Sequence, residues 1–576
     1  MLRFLTSLIL VSFSSVLWAQ SKLEVRITPK NSALKANIEA FIGAVEKRDF
    51  EGLERFQRTA KQQAEQASQA LGYYSAKITV SVNKDPNTLL VEVEPGAPVR
   101  LTHVEIRVEG EAANVPEFIV PNNKKLQVGA KLNHSVYEDA KSELQNQALR
   151  MGFFSGKFLQ HTLKIDPINE SAEIALVYQS GPRYKLGKVS FPDTAKINLD
   201  LLERLIPFKE GTNYHSALIA KLSQNLQSTG YFEQVRVDAT EQDADENLVI
   251  PISVVLTPAK PRTMGIGLGA STDIGPRARF SWERHRVNSA GHKLGGDIEV
   301  SSPKQSVTGW YAVPLEDPLN DELRFLGGYQ KEEMNDADSM KYTLGAQVRK
   351  QLDNKWQRTY FLRWEQETFK FNKGSGNNSR ERTSQFLLPG VGYSILRSDS
   401  PLDPSQGHRL QFDIATGKEG VLSDADVVRA TALAKGLYTF ADNHRFLGRA
   451  QIGVIGTNNF NKIPPSLRFF TGGDQTVRGY SYEDISPRDS AGNRIGGRYM
   501  FASSAEYQYT FAPSWRVAAF IDQGAAANNL TDSIKTSIGM GVRWVSPVGP
   551  LRLDLAKPMH DKENGWRIHF SMGPEL

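Results

Sequence analysis

The hydrophobic pattern of this chain changes once. Up to about residue 262, apolar positions recur at helical spacing between short alternating runs. Leu53, Phe56, Ala60, Ala64, Ala67 and Leu71 fall on one helical face, as do Val136, Ala140, Leu144 and Ala148, and again Ala217, Leu218, Leu222 and Leu226. Each stretch runs into a glycine and two aromatics: Gly72-Tyr73-Tyr74, Gly152-Phe153-Phe154 and Gly230-Tyr231-Phe232. The glycines are 80 and 78 residues apart, a repeat of small-domain size. A glycine at that place predicts a helix C-cap, and the aromatics predict the start of a strand. A second strand closes each unit, at Leu89–Glu94, Ala172–Tyr178 and Leu248–Leu256, before Gly/Pro punctuation. The chain therefore reads as three α+β domains, over 20–97, 98–181 and 182–259.

From 260 to 576 the helical period is gone. Trp515, Val517, Ala519 and Ile521 share one strand face; Leu551, Leu553 and Leu555 share another, with Arg552 and Asp554 opposite. Ile538, Met540, Val542 and Trp544 oppose Arg543, and Trp566, Ile568 and Phe570 alternate with Arg567 and His569. A soluble sandwich would turn the apolar face inward and would not seat this many arginines on the other. Apolar-out, polar-in alternation is what lipid demands of a closed sheet, because every backbone group must pair. At roughly 20 residues per strand and connection, this region holds about 16 antiparallel strands of a transmembrane β-barrel. In the first of them, Arg262 to Ser271, Met264, Ile266, Leu268 and Ala270 face lipid while Gly265, Gly267 and Gly269 face the lumen. Glycine packs nothing, so a seam between this strand and the last one, with Gly565, Ile568 and Phe570, is expected to be weak. The same small residues would equally make room for a neighbouring segment.

Composition removes other classes. The chain has 576 residues, no Cys and a formal net charge of +5. No disulfide framework, thiolate metal cage or Cys nucleophile is available. The mean hydropathy of −0.40 argues against a polytopic helical membrane protein. The basic excess is too small to imply nucleic-acid binding. Residues 1–19 read as a signal peptide, with Arg3 before a short apolar core broken by hydroxyls and Ala19 at the cleavage site. Nucleotide loops, zinc-protease motifs and EF-hand patterns are absent, and the histidines lack ligand spacing. No cofactor, metal or catalytic residue is expected, and the chain is not read as an enzyme.

The repeat resembles the POTRA domain, a periplasmic polypeptide-binding module. In the barrel, Phe470-Thr471-Gly472-Gly473-Asp474-Gln475-Thr476-Val477-Arg478-Gly479-Tyr480, then Ala505-Glu506-Tyr507, then Phe520-Ile521-Asp522-Gln523-Gly524 resemble, in order, the motifs of the BamA-like outer-membrane insertase superfamily. Asp399 to Leu410 is similar to its periplasmic-turn motif, with Gln406 where arginine is usual; the residues alone read as an ordinary Pro/Gly turn. Asn564 to Phe570 fits the β-signal of assembled outer-membrane barrels. The resemblance implies a loop, about 458–498, folded into the lumen with its Val477-Arg478-Gly479-Tyr480 tip on carboxylates of the wall. Strand parity puts Glu506 and Asp522 on the lumen side, where one guanidinium can meet both. Three POTRA-like units resemble the TamA branch of the superfamily. That implies an outer-membrane assembly factor for client barrels such as autotransporters, with a TamB-like inner-membrane partner at the POTRA domains and outer-membrane lipid as a second cargo. The alternative is a two-partner-secretion type export pore that uses the lumen.

Overall fold

Asparagine and aspartate side chains start the first helices. Asn31 accepts from the Leu34 N–H at 3.0 Å and opens α1 (Ser32–Ile42); Asp49 accepts from the Gly52 N–H at 2.8 Å and opens α2 (Phe50–Ala70). The apolar stripe of α2 packs Leu53, Ala60, Ala64 and Ala67 against Val25, Leu89 and Val91 of a three-stranded sheet. That sheet holds β1 (Lys22–Ile27), β2 (Lys77–Asn83) and β3 (Thr88–Glu94) in the order β1-β3-β2, with β1 and β3 parallel. The computed structural model describes residues 21–46, 48–193, 196–334, 336–371, 381–547, 549–559 and 565–573; the expected signal peptide lies outside them.

The arrangement repeats twice. The second domain holds β4 (Arg100–Glu109), α3 (His134–Met151), β5 (Lys157–Asp166) and β6 (Ser171–Gln179), in sheet order β4-β6-β5. The third holds β7 (Lys185–Ser190), α4 (Leu199–Glu203), α5 (Ser216–Ser228), β8 (Phe232–Asp238) and β9 (Val249–Pro258), in order β7-β9-β8. The chain forms two compact units. One takes in the first two domains, β7, and residues 208–220 and 238–253; the other takes in 191–207, 221–237 and everything from 254.

Within these units the glycine–aromatic signature does more than end a helix. The Gly72 carbonyl accepts the Val99 N–H at 2.8 Å, that of Gly152 accepts Tyr184 at 2.9 Å, and that of Tyr231 accepts Ala259 at 2.9 Å. The neighbouring aromatics then seat on the next module. The Tyr74 hydroxyl meets His134 Nε2 at 2.7 Å. Phe154 packs edge-on against Tyr184 and Tyr214, with ring centroids 5.3 and 4.9 Å away. Tyr231 donates to the Gly291 carbonyl at 2.7 Å, in the connection after the second barrel strand.

The barrel is closed and has 16 strands, the number the spacing predicts. The first eight are β10 (Arg262–Ser271), β11 (Gly275–Arg284), β12 (Lys293–Ser301), β13 (Lys304–Pro314), β14 (Asp321–Met334), β15 (Ala337–Gln351), β16 (Gln357–Phe371) and β17 (Arg382–Ser398). The rest are β18 (Gln406–Gly417), β19 (Val427–Phe440), β20 (His444–Thr457), β21 (Tyr499–Ala512), β22 (Trp515–Ala527), β23 (Lys535–Ser546), β24 (Gly549–Pro558) and β25 (Arg567–Met572). Alternation holds along the wall: Ile452, Ile521, Met540 and Leu553 are exposed on the outside, while Gln508, Asp522, Arg543 and Asp554 are buried inside. The interior is mixed: ionic around Asp522, Arg543 and Asp554, and apolar where Phe386, Leu388, Val427 and Ile455 of the wall pack against Ile463, Leu467 and Phe469 of the connection between β20 and β21.

Candidate functional site

The long connection from β20 to β21 turns back through the barrel interior. Its two legs pair at Phe469 with Gly497 and at Thr471 with Ile485. Arg468 staples the base by donating to the carbonyls of Phe460, Ile463 and Ile495. At the tip the Gly472 N–H donates to Thr476 Oγ1 at 2.8 Å, and Gly473 lies against the Asp273 carboxylate in the β10–β11 turn. Val477 and Tyr480 are buried with Ile485. Gly479 has φ +96°, and a Cβ there would lie 3.2–3.4 Å from Ser537, Pro558 and Lys557, so only glycine fits comfortably. Gly524 leaves the space that Val477 fills, since a Cβ would sit 2.6 Å from Val477 Cγ2.

Arg478 is where this loop meets the wall. Its Nε donates to Asp522 Oδ2 at 2.8 Å and its Nη2 to Oδ1 at 2.9 Å, a bidentate pair that its own backbone N–H joins at 3.0 Å. Nη1 reaches Glu506 at 2.7 Å and Asp554 at 3.1 Å, and Nη2 reaches Ser504 at 3.1 Å. The guanidinium lies 3.3 Å over the Phe520 ring. Behind it Arg543 donates to Asp554 at 2.6 Å and to Glu506 at 2.8 Å, so two arginines and three carboxylates share one buried network. Desolvating this many charges is costly, and only dense pairing offsets it; removing one member leaves the others uncompensated at a cost of about 3–5 kcal/mol. His569 of β25 accepts the Gly479 N–H at 2.9 Å, which ties the last strand to the same tip.

The predicted tip and both predicted carboxylates thus lie together. Arg543, Asp554, Ser504 and His569 complete the set. Strand parity alone marks Asp554, Arg543 and His569 as lumen-facing. What brings them level with Arg478 is the stagger between strands, Gly541 opposite Asp554 and Asp554 opposite His569, which no local pattern encodes.

The loop is also held to the far wall. Glu367 of β16 accepts from Ser339 at 2.6 Å and from the Ser466 hydroxyl, and Arg494 reaches Asp336 at 3.1 Å. Beside it the lumen keeps a cavity of about 1320 Å³, lined by Arg363, Arg409, Gln411, Arg429, Gln451 and Phe470 among others.

The seam between β10 and β25 is unlike every other junction. Among the described residues Ser271 and Ser571 form its only register pair, supplemented by Thr272 N–H to the Phe570 carbonyl at 3.0 Å and Phe570 N–H to Thr272 Oγ1 at 3.2 Å. The next junction, β10 with β11, has ten pairs from Arg262↔Arg284 to Ser271↔Gly275. Gly265, Gly267 and Gly269 face Ser281, Arg279 and Arg277 on β11. They do not meet Ile568, which pairs with Leu555, nor Gly565, which is exposed ahead of β25. Of the expected seam residues on the last strand's side, Phe570 is the one that hydrogen-bonds the first hairpin, at Thr272.

Residues 261–575 match the Omp85 superfamily domain. Residues 24–95 match the POTRA domain TamA domain 1, and 184–255 match a POTRA domain described as a surface antigen variable number repeat. The outer membrane protein assembly factor BamA of Nitratidesulfovibrio vulgaris is 24% identical over 422 residues, 70% of this chain and 52% of that protein. BamA of Neisseria meningitidis serogroup B is 20% identical, over 87% of this chain and 70% of that protein. The chain spans about half the length of the first of these relatives. The crystal structure of BamA from Haemophilus ducreyi lacking POTRA domains 1–3 shares the fold, with a TM-score of 0.70, 15% identity, and coverage of 82% of this chain and 99% of that one.

Proposed function

The chain belongs to the Omp85 superfamily, and on that footing we propose that it is an assembly factor that inserts client β-barrels through the β10–β25 seam. It resides in the outer membrane, with its POTRA domains in the periplasm. The observation that carries the reading is the seam. Most of β10 offers an edge that β25 leaves uncovered among the described residues, while its other edge is paired with β11 from Arg262 to Ser271. An uncovered edge is a template for another strand. A client strand that adds there keeps its backbone groups paired as it enters lipid, where each unpaired group costs several kcal/mol. No catalytic step and no energy source are required, because the folded client is the low-energy state.

The TamA-type first domain supports the finer reading: a TamA-like subunit whose POTRA domains receive unfolded outer-membrane clients, autotransporters among them, by strand addition at their sheet edges. A TamB-like inner-membrane partner docks on those domains, and outer-membrane lipid is a second cargo.

Ser271 and Ser571 supply the test, since the chain has no cysteine of its own. With both replaced by Cys in liposomes, acceleration of the folding of a denatured client barrel disappears on oxidation and returns on reduction. Acceleration that survives oxidation overturns lateral insertion and turns attention to the lumen as the route.

A further inference from the structure

The β17–β18 turn, at the periplasmic end of the barrel, has no part in the reading above. It is braced from within: Asp399 accepts the Ser405 N–H at 2.9 Å and the Gln406 N–H at 3.3 Å, and Pro404 is buried. That bracing points Asp403 away from its own hairpin. Asp403 Oδ1 accepts from Arg445 Nη1 at 2.8 Å and Arg516 Nη1 at 2.8 Å, and Oδ2 accepts from Arg516 Nη2 at 2.6 Å. Arg445 is the second residue of β20 and Arg516 the second of β22, both at the periplasmic end. They lie two and four strands round the wall from β18. Neighbouring strands are about 4.8 Å apart, so four strands subtend roughly 19 Å of wall. A turn reaches that far only by folding inward beneath the lumen.

Burial agrees. Both arginines have lumen parity, Arg445 opposite Gln508 and Arg516 opposite Arg543. Side chains at an open, water-filled mouth would be wet, yet Arg445 is 2% exposed. Burial by itself would push the Asp403 carboxyl up; Arg516 and Arg445 outweigh it and hold it below the usual carboxylate range, so it is ionised at neutral pH. With Arg543 one strand further on, Asp403 is the counter-charge that lets this positive rim stay closed.

We propose that the β17–β18 turn is a gate across the periplasmic mouth of the lumen, latched by Asp403 between Arg445 and Arg516. The latch and the Arg478 network meet in one ionic band, because Gln508, opposite Arg445, donates to Glu506 at 2.8 Å. The gate is independent of whether clients leave through the seam.

The full chain in planar bilayers tests it, with Gln451→Cys as a reporter thiol in the lumen cavity and a charged thiol reagent added from the POTRA side. Asp403→Asn is expected to raise open-state occupancy and the Cys labelling rate at least fivefold; Asp403→Glu, which keeps the charge, stays within twofold of the parent. Folded barrel is verified by its heat-dependent shift on SDS gels. A folded Asp403→Asn variant with unchanged labelling and conductance overturns the proposal, as does an equal effect of Asp403→Glu. Should Asp403→Asn not fold, Arg516→Gln breaks the bidentate half of the latch, with the same expectations and the same overturning result.

Discussion

At the scale of single residues, Arg478 shows what sequence can and cannot deliver. Its pairing with Glu506 and Asp522 follows from period-two alternation plus a motif, both readable without coordinates. Its contacts with Asp554 and Ser504, and the shared use of Asp554 by Arg543, depend on inter-strand stagger that only the closed barrel fixes. The network makes a graded prediction. Arg478→Ala strips three carboxylates of a partner and is expected to cost about 3–5 kcal/mol, read as a lower midpoint of the heat-dependent gel shift. Arg478→Lys keeps the charge but loses the fork and falls between. Equal midpoints for Ala and Lys would mean that geometry, not charge, carries the contact.

Elements differ in how completely they are satisfied. Strands such as β15 are paired along both edges, whereas β10 is paired along one. Successive amides of a strand point to opposite neighbours. Hydrogen exchange on the full chain in nanodiscs should therefore find alternate amides of residues 262–270 unprotected while the middle of β15 is protected at every residue. Uniform protection along β10 would argue for a zipped seam and against lateral entry. The glycine run pointed to the weak strand. It did not point to the partner residues, because the length of a seam is set by where two distant strands happen to overlap. At the helices the sequence was plainer: the stripe from Leu53 to Ala67 lies in α2, with Leu71 as its C-cap, and the glycine after α3 takes φ 86° as its left-handed cap.

For the molecule as a whole, the three glycine–aromatic junctions were legible as a repeat, but their second use as joints was not, because it rests on contacts with residues from about 30 to 60 positions downstream. The first joint carries a pH signature. Burial lowers the His134 pKa below its usual value, with Glu138 opposing. Folding thus favours the neutral ring that meets the Tyr74 hydroxyl. The contribution is complete above the ordinary value of about 6.5 and is lost as pH falls through the lowered folded value. Exchange at residues 132–135, corrected for intrinsic rates, should rise on going from pH 7.5 to 5, and His134→Gln should abolish the dependence while keeping a polar partner for Tyr74. A wild-type joint insensitive to acid would show that the Tyr74–His134 contact does not hold the domains.

Because each domain carries its connector in the glycine–aromatic step just after its long helix, and the next domain offers a socket at the start of its own helix, His134 at α3 and Tyr214 just ahead of α5, the number of domains is a free quantity of this architecture. Whole units can be duplicated or lost in evolution without inventing a new interface. Tyr231 uses the same device on the barrel that Tyr74 and Phe154 use on the next domain, so the barrel serves as the terminal unit of the series. Periplasmic reach can then change by whole steps while the membrane-embedded machinery stays as it is.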